Sequence, residues 1–418
     1  MSNFLNIMIP EELKEQVHNC IRCGLCMSTC PVYKQLFFEG ASPRGKIQLI
    51  KKVLEGKLEP SANFARLLGT CLLCETCTVT CPSGVQLDRL MKAMRAELLS
   101  RFSLPWEKRT LFNLLSGSRL LPFCMFWGRT LENPLRFLLP SQGRVGTIPF
   151  SKLPRLNARP LISQYPEVVR PDGARVGRVL YFVGCATNYL SENVGRSVIA
   201  ILSRLGVEVI IPRGQMCCGF PICLAGARKA ALKNIRRNLQ VFDPTTVDAV
   251  IVDCATCGAA LKEEYPRVLE EMGEGKAAEA ARRLGQKVLD ISQYLSRFDL
   301  GKNLRPVESR VTYHDPCHLL RTQKVKEEPR SLLKGIPGLE FVEMEGADLC
   351  CGGGGTFQVE HPEVAAGITA NKIQAILETR ADLVATGCPG CRLQIHGNLK
   401  DDRIRVVHPV ELLALALS

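Results

Sequence analysis

The chain has 418 residues, enough for two or three domains with complete cores, and its apolar and charged fractions are ordinary for a globular protein. Its 20 cysteines are not ordinary, and since the N-terminus shows no basic segment followed by an apolar one, we expect no secretory signal. An exported disulfide scaffold is therefore not expected. Because no run of 18 or more uncharged apolar residues exists, a membrane-spanning helix is not expected either, and the net charge of +13 is compatible with an anionic partner or surface. The compartment expected for such thiols is a reducing cytoplasm, where they favour metal binding.

Two cysteine runs open the chain, CIRCGLCMSTCP at residues 20–31 and CLLCETCTVTCP at residues 71–82. Each reads C-x2-C-x2-C-x3-C-P, the bacterial ferredoxin spacing for a [4Fe–4S] cluster, in which the fourth cysteine ligates the other cluster. Zinc sites favour separated C-x2-C pairs, so two complete runs argue against zinc. We expect one cluster on Cys20, Cys23, Cys26 and Cys81, and a second on Cys71, Cys74, Cys77 and Cys30.

The first 100 residues otherwise follow helical patterns. A turn signal at residues 42–45 precedes a helix predicted from Lys46 and closed by Gly56, and helical patterning resumes at Asp88. The sequence therefore predicts a mostly helical two-cluster ferredoxin domain over residues 1–100, not the small β-rich type.

Residues 101–176 are predicted to form a connector, because nine prolines interrupt them. The apolar, aromatic and arginine-containing stretch 111–140 suits an interfacial helix or docking surface, and equally suits packing against flanking domains. Within it Cys124 is expected to be a buried hydrophobic residue. Residues 91–160 hold twelve Lys and Arg against three Asp and Glu, which fits an acidic partner, anionic lipid or nucleic acid, or simply a solvated linker face.

From residue 177 apolar strands alternate with amphipathic helices, which predicts parallel α/β sheets. Strands are expected from Arg178, Val207 and Asp248, and again from Arg310, Leu339 and Asp382; helices are expected around residues 194–205 and 224–242. Corresponding cysteines lie 132, 133 and 134 residues apart, so the chain contains a duplication of about 133 residues. The predicted repeats are 177–300 and 301–418.

Each cysteine group in this half follows a predicted strand, where loops of an open sheet converge on ligands. Five thiols per repeat exceed what a cubane or a zinc ion needs, yet the repetition of all five argues against mere packing. His314, Asp315 and His318 flank one group and suit either proton relay or a satisfied turn, while Cys223 is expected to be a packed thiol. The candidate ligands are Cys185, Cys217, Cys218, Cys254 and Cys257 in one repeat, and Cys317, Cys350, Cys351, Cys388 and Cys391 in the other.

The pattern Cys185-x31-Cys217-Cys218-Gly219-x34-Cys254-x2-Cys257, and its repeat from Cys317 to Cys391, resembles the cysteine-rich CCG domain of heterodisulfide reductase subunits. Two ferredoxin motifs followed by two such domains most resemble the glycolate oxidase iron–sulfur subunit family, with relatives in D-lactate and glycerol-3-phosphate dehydrogenases. The resemblance implies two [4Fe–4S] clusters and further [4Fe–4S] clusters in the CCG domains, noncubane as in heterodisulfide reductases. Both repeats keep all five cysteines, a feature of the heterodisulfide reductase type.

The resemblance implies an electron-transfer subunit of an oxidoreductase. A FAD-containing 2-hydroxy acid oxidase or dehydrogenase subunit would supply electrons from glycolate or D-lactate, and a quinone or another acceptor would receive them, with peripheral contact at the inner face of the cell membrane. The chain shows no recognisable hydride-accepting site of its own. The alternative is a heterodisulfide-reductase-like subunit that reduces a disulfide or thiol-linked substrate at its CCG clusters. A nucleic-acid-binding role rests on charge alone and is not expected.

Overall fold

The computed structural model of the protein describes residues 9–116, 127, 129, 143–301 and 304–417. The predictions for Cys124 and for most of the stretch 111–140 lie outside these residues. Among the helices that are described, none is both long and apolar enough to cross a bilayer.

Residues 9–116 fold into helices and loops, with no strand in that range, in agreement with the predicted helical domain. Leu13, Ile50, Leu68, Leu90 and Met94 form the centre of its core. The elements are α1 Glu11–Gln16, α2 Leu25–Thr29, α3 Tyr33–Leu36, a 3-10 turn Glu39–Ala41, α4 Pro43–Leu54, α5 Ala62–Gly69, α6 Thr76–Val79, α7 Leu87–Arg101 and α8 Trp106–Leu115.

Helix α4 begins three residues before the predicted Lys46. The Ser42 hydroxyl accepts a hydrogen bond from the Gly45 N–H at 2.9 Å, and Pro43 occupies the first helical turn. Ser followed by Pro is thus an N-terminal cap here and not a separate turn, because proline's fixed φ and missing N–H suit the first helical position.

A hairpin of β1 Arg144–Val145 and β2 Ile148–Pro149 precedes the first repeat. The first repeat then has a five-stranded sheet in the order β3-β5-β4-β6-β7, parallel except for β3. Its strands are β3 Val168–Val169, β4 Gly177–Phe182, β5 Val207–Ile210, β6 Ala249–Val252 and β7 Val288–Asp290. Its helices are α9 Cys185–Tyr189, α10 Glu192–Arg204, α11 Phe220–Leu224, α12 Arg228–Val241, α13 Ala255–Ala259, a π-helical turn Ala260–Glu264, α14 Tyr265–Glu271, α15 Gly275–Lys287 and α16 Ile291–Leu295, with 3-10 turns at Phe150–Lys152, Leu161–Gln164 and Pro244–Thr246.

The second repeat has a four-stranded parallel sheet in the order β11-β10-β8-β9. Its strands are β8 Ser309–Tyr313, β9 Leu339–Phe341, β10 Leu383–Ala385 and β11 Arg405–Val407. Its helices are a π-helical turn His318–Thr322, α17 Glu327–Lys334, α18 Phe357–Glu360, α19 Pro362–Glu378, α20 Pro389–Asn398 and α21 Pro409–Ala416.

Four strands of each sheet follow the same order, so the duplication seen in the sequence is also a duplication of the fold. The orders β5-β4-β6-β7 and β9-β8-β10-β11 correspond strand for strand. Even an edge detail repeats: Asp248 accepts from the Arg178 N–H at 2.7 Å, and Asp382 accepts from the Arg310 N–H at 3.0 Å. Both repeats therefore place their cysteine loops at the carboxyl ends of equivalent strands.

The helix predicted over residues 224–242 is two helices, α11 and α12, with Gly226 between them. Gly226 has a φ of 89°, and a Cβ there would lie 2.6 Å from the Arg95 carbonyl carbon of α7. The break lets the backbone of the first repeat approach the ferredoxin domain closely, a contact that only glycine allows.

The two repeats share one core in which α10 of the first packs against α21 of the second. Described parts of the predicted connector join this assembly: β3 extends the first sheet, and the Thr147 N–H donates to the Gln358 side chain of the second repeat at 2.9 Å. These segments of the predicted connector are therefore packed against the two repeats.

Candidate iron–sulfur centres

The two ferredoxin loops wind in the same unusual way. Arg22 and Gly24 have φ values of 58° and 87°, and their counterparts 51 positions later, Leu73 and Glu75, have 54° and 62°. Three of these four are not glycine, so each accepts backbone strain of about 1–2 kcal/mol. Similar strain at equivalent positions indicates that both loops are shaped around the same kind of centre.

The structure brings the first eight cysteines into the two groups expected from sequence. The Thr29 and Thr80 hydroxyls, which occupy equivalent positions of the two runs, meet at 3.5 Å between the groups. Cys26 lies beside Cys20, Cys23 and Cys81, while Cys77 lies beside Cys71, Cys74 and Cys30.

Burial makes it unfavourable to ionise these neighbouring thiols as free thiolates, whereas the iron of a cluster would compensate their negative charge. Burial raises the pKa of Cys30 to about 11 and that of Cys77 well above the ordinary value. Backbone N–H groups of Tyr33 and Leu73 lie 3.4 and 3.5 Å from the sulfurs of Cys30 and Cys71. Donors of this kind stabilise metal-bound thiolates and tune an iron–sulfur centre.

All ten CCG cysteines line one cavity of about 210 Å³ between the two repeats. Each group combines loops from three strand ends, as predicted, and the Cys185 and Cys217 sulfurs lie 3.7 Å apart. The cavity is lined by Cys185, Cys217, Cys218, Cys254, Cys257, Cys317, Cys350, Cys351, Cys388 and Cys391.

The contacts within the two CCG groups repeat. Cys218 accepts hydrogen bonds from the thiols of Cys217 and Cys257, which lower its pKa to about 6. Its counterpart Cys351 accepts from Cys350 and Cys391, and its pKa falls well below the ordinary value. Each repeat thus places the second residue of its Cys–Cys pair at the centre of a thiol cluster.

Glycines make room for inorganic sulfide around these thiols. A Cβ on Gly184 would lie 3.0 Å from the Cys257 sulfur, and Gly219 and Gly352 both have left-handed φ values, of 75° and 88°. The Gly352 N–H lies 3.4 Å from the Cys350 sulfur. A compact thiol-lined cavity with close backbone donors fits iron–sulfur clusters, which the ten cysteines would hold.

Asp315 is a structural residue of the second CCG loop. Both of its carboxylate oxygens accept hydrogen bonds from Arg330, at 2.8 and 2.7 Å, and both side chains are buried. Arg330 also contacts Glu343 at 2.8 Å. The ion pair anchors the segment between β8 and Cys317.

His314 and His318 both line the ten-cysteine cavity, whereas Cys223 does not. His318 packs edge-on against Phe220 with ring centroids 4.8 Å apart. Cys223 is buried in the core of the first repeat beside Cys217 and Cys218, consistent with the expected packed thiol.

The structure adds residues that the sequence did not identify. Lys92 of α7 is buried at the interface with the first repeat, where its ammonium lies 3.2 Å from Glu264 and 3.7 Å from Asp88. Arg95, half-buried, donates to the carbonyls of Cys71 at 2.6 Å and Leu224 at 3.0 Å. Lys92, one of the twelve basic residues in 91–160, is therefore internal and contributes nothing to a basic surface.

The second ferredoxin group adjoins the second CCG group. Cys30 and Cys74 pack in one cluster with Cys317 and Cys350. Leu72 lines both the cavity around Cys71 and Cys74 and the ten-cysteine cavity.

Side chains fix this junction. The Thr322 hydroxyl donates to the Glu75 carboxylate at 2.8 Å, and Arg321 reaches the Cys74 carbonyl at 3.5 Å.

An outer cavity of about 350 Å³ adjoins the inner one, with Leu72, Pro221, Leu224, Gly354 and Gly355 common to their walls. Its remaining walls are largely apolar, with cationic or titratable groups among them. They include Leu98, Phe102, Leu104, Phe357, Arg66, Lys108 and His361.

Comparison with protein families gives two matches. The 4Fe-4S dicluster domain matches residues 16–85, and the cysteine-rich domain termed CCG matches residues 179–262 and 311–396. The matches include both ferredoxin runs and, in each repeat, the segment that contains all five CCG cysteines.

The chain is 32% identical to the probable glycolate oxidase iron–sulfur subunit of Bacillus subtilis, over 97% of this chain and 96% of that protein. It is also 32% identical to a fumarate reductase (CoM/CoB) subunit of Methanothermobacter marburgensis, over 98% and 74%. A dihydromethanophenazine:CoB–CoM heterodisulfide reductase subunit of Methanosarcina barkeri is 28% identical over 96% and 93%. A crystal structure of a hypothetical protein from Helicobacter pylori shares the fold, with a TM-score of 0.51, 12% identity, and coverage of 98% of this chain and 73% of that one.

Proposed function

Because the chain belongs to the family of iron–sulfur proteins that includes the glycolate oxidase iron–sulfur subunits, with a 4Fe-4S dicluster domain and two CCG domains, we propose that it is the electron-transfer subunit of a FAD-linked 2-hydroxy acid dehydrogenase. Glycolate or D-lactate would be oxidised on a flavoprotein partner. Clusters bound to this chain would accept and release single electrons.

The proposed ligands follow the thiol groups. Cys20, Cys23, Cys26 and Cys81 would hold one [4Fe–4S] cluster, and Cys71, Cys74, Cys77 and Cys30 another. The five thiols of each CCG group, from Cys185 to Cys257 and from Cys317 to Cys391, would hold further clusters.

One observation carries the electron-transfer role: Cys30 and Cys74 of the second ferredoxin group belong to the same hydrophobic cluster as Cys317 and Cys350 of the second CCG group. The chain thereby holds two kinds of thiol site side by side, and buried Leu72 lines the cavities of both. The first ferredoxin group, around Cys20, is outside this cluster, and it is the proposed entry point for electrons.

The outer cavity is the proposed acceptor site. Its apolar walls suit a quinone ring, and Arg66, Lys108 and His361 offer donors for quinone oxygens. Exposed Trp106 and Leu111 on neighbouring α8 supply apolar side chains for peripheral contact with a membrane.

Co-purification tests the proposal. The chain, tagged and expressed anaerobically in its native host, should recover a stoichiometric FAD-containing subunit, and the complex should reduce a quinone with glycolate or D-lactate. Iron and acid-labile sulfide should both be present. A complex without flavin, or a chain without iron, overturns it.

A second candidate is supported by a different observation, the convergence of both CCG groups on one cavity that adjoins an outer chamber. Such a cavity suits a disulfide substrate held between two cluster-binding thiol groups, as expected of a heterodisulfide-reductase-like subunit that reduces a disulfide at noncubane clusters. The residues would position the substrate sulfurs between Cys217–Cys218 and Cys350–Cys351.

The two candidates predict different behaviour of the isolated chain. With a chemical reductant and a low-molecular-weight disulfide, the disulfide candidate requires turnover and formation of two thiols per two electrons consumed. The dehydrogenase candidate requires none without the flavoprotein.

A further inference from the structure

The two CCG groups are not equivalent, because the second contains a histidine that the first lacks. His314 follows β8 and is three residues before Cys317, whereas Phe182 occupies the equivalent position before Cys185. Each side chain is buried, with exposures of 1% and 0%. The second repeat thus adds one imidazole, that of His314, to the five thiols that both repeats contain.

The hydrogen bonding of His314 identifies the ring nitrogen that is not bonded to a backbone carbonyl. Nδ1 lies 3.2 Å from the Ala347 carbonyl, an acceptor that also receives the Lys372 ammonium at 3.2 Å. A carbonyl requires a donor, so Nδ1 carries the ring hydrogen and Nε2 keeps its lone pair. The buried imidazole also hydrogen-bonds the Cys351 thiol, and Nε2 is the nitrogen left for that contact.

Nε2 of His314 faces thiols at metal-binding spacing. A ring nitrogen of His314 and the sulfurs of Cys351 and Cys391 all lie within 4.8 Å of one another. A histidine that binds metal through one nitrogen ordinarily donates its other N–H to a carbonyl, which is the arrangement of His314 and Ala347.

We propose that His314 Nε2 is an iron ligand of the second CCG centre, together with Cys351 and Cys391. This inference rests on the proposed binding of iron by the CCG groups. The five thiols of this group are all retained, so the imidazole is an additional, neutral ligand that changes the charge donated to one iron. The second centre would therefore differ in reduction potential from the first, where Phe182 occupies the equivalent position.

The test is pulsed EPR of anaerobically purified protein labelled with 15N-histidine, recorded through a full redox titration. We expect a nitrogen coupling typical of a directly bound imidazole in one cluster signal. Of the histidines in the described chain, His314 and His318 line the cavity, so the matched variants are His314→Gln and His318→Gln. Exposed His396→Gln is the outer control.

The coupling should vanish in His314→Gln, with a shifted midpoint potential, and persist in the His318 and His396 variants. If His314→Gln loses its iron, persistence in His318→Gln assigns the signal to the remaining histidine of the cavity. Absence of coupling in the unmodified protein, or its loss in His318→Gln, overturns the proposal. Iron content separates this from failure of the proposed function, because iron beyond that of two ferredoxin clusters, about eight atoms, shows that the CCG groups are loaded.

Discussion

The Thr256 hydroxyl of the first repeat lies 3.7 Å from the Cys388 thiol of the second. Beside it, the Ala255 N–H donates to the Gly387 carbonyl at 2.9 Å, and His408 reaches the Asp253 carbonyl at 3.1 Å. The carboxyl ends of equivalent strands β6 and β10 therefore meet. Because each repeat contributes to the wall around the other's cysteines, the two CCG groups form one structural unit.

The ferredoxin domain packs closely against both repeats, yet we expect its clusters to bind independently of the CCG centres, and Cys74→Ser tests this. Serine is a poor iron ligand, so we expect loss of about four iron atoms per chain and of one ferredoxin EPR signal. Signals of the CCG centres should remain. Cys223→Ala, which removes a buried thiol outside both cavities, should retain all iron. Loss of every iron signal in folded Cys74→Ser protein would contradict this independence.

Gly352 and Gly219 occupy equivalent positions, and their alanine variants form a matched pair. Both have positive φ, so alanine costs about 1–2 kcal/mol at either site. At Gly352 the new methyl group would also lie 2.5 Å from the Thr369 hydroxyl and 2.8 Å from the Ala365 carbonyl, whereas at Gly219 the nearest atoms are 3.6 Å away. Gly352→Ala should therefore lower iron content and melting temperature more than Gly219→Ala does. Equal effects would show that backbone strain alone decides the outcome.

Sequence spacing predicted what depends on local pattern. The two ferredoxin runs, the duplication and the strands before Cys185 and Cys317 were all visible, because cysteine spacing and apolar runs are properties of short segments. The short strands β7 and β11 were missed, since each has only three residues and so too little pattern to identify a strand.

Long-range polar contacts could not be predicted in the same way. Lys92 and Glu264 are 172 positions apart, and each lies in an ordinary amphipathic segment, so only the fold shows that they pair. The nitrogen of His314 that faces the thiols likewise depends on Ala347, a carbonyl 33 positions away. Which thiols face one another across the repeats is set by tertiary packing.

The Arg330–Asp315 pair should contribute strongly to stability. Arg330→Leu leaves a buried carboxylate without its partner, and we expect the free energy of unfolding to fall by about 3–5 kcal/mol. The matched control is Arg283→Leu, which breaks an exposed pair with Glu279 of similar length, 2.8 Å, and should cost less than about 1 kcal/mol. Denaturant unfolding of the iron-loaded protein measures both. Similar losses in the two variants would contradict a special role for the buried pair.

Asp290 should make stability depend on pH. Burial raises the pKa of this carboxyl to about 6, above about 3.9 for an unfolded aspartate, although the Ser292 N–H donates to it at 2.9 Å. The folded protein therefore holds the proton more tightly, so the contribution to stability is complete below pH about 4 and is lost as pH rises through 6. Asp290→Asn keeps the helix cap without a charge. At pH 7.5 its free energy of unfolding should exceed that of the unmodified protein by up to about 3 kcal/mol, measured by denaturant unfolding. At pH 4.5 the difference should shrink.

Exposed Asp243, whose pKa is lowered by hydrogen bonds from Thr245, provides the opposite control: Asp243→Asn should bring no gain in the free energy of unfolding at pH 7.5. An equal gain for Asp290→Asn at both pH values would show that its effect is not electrostatic.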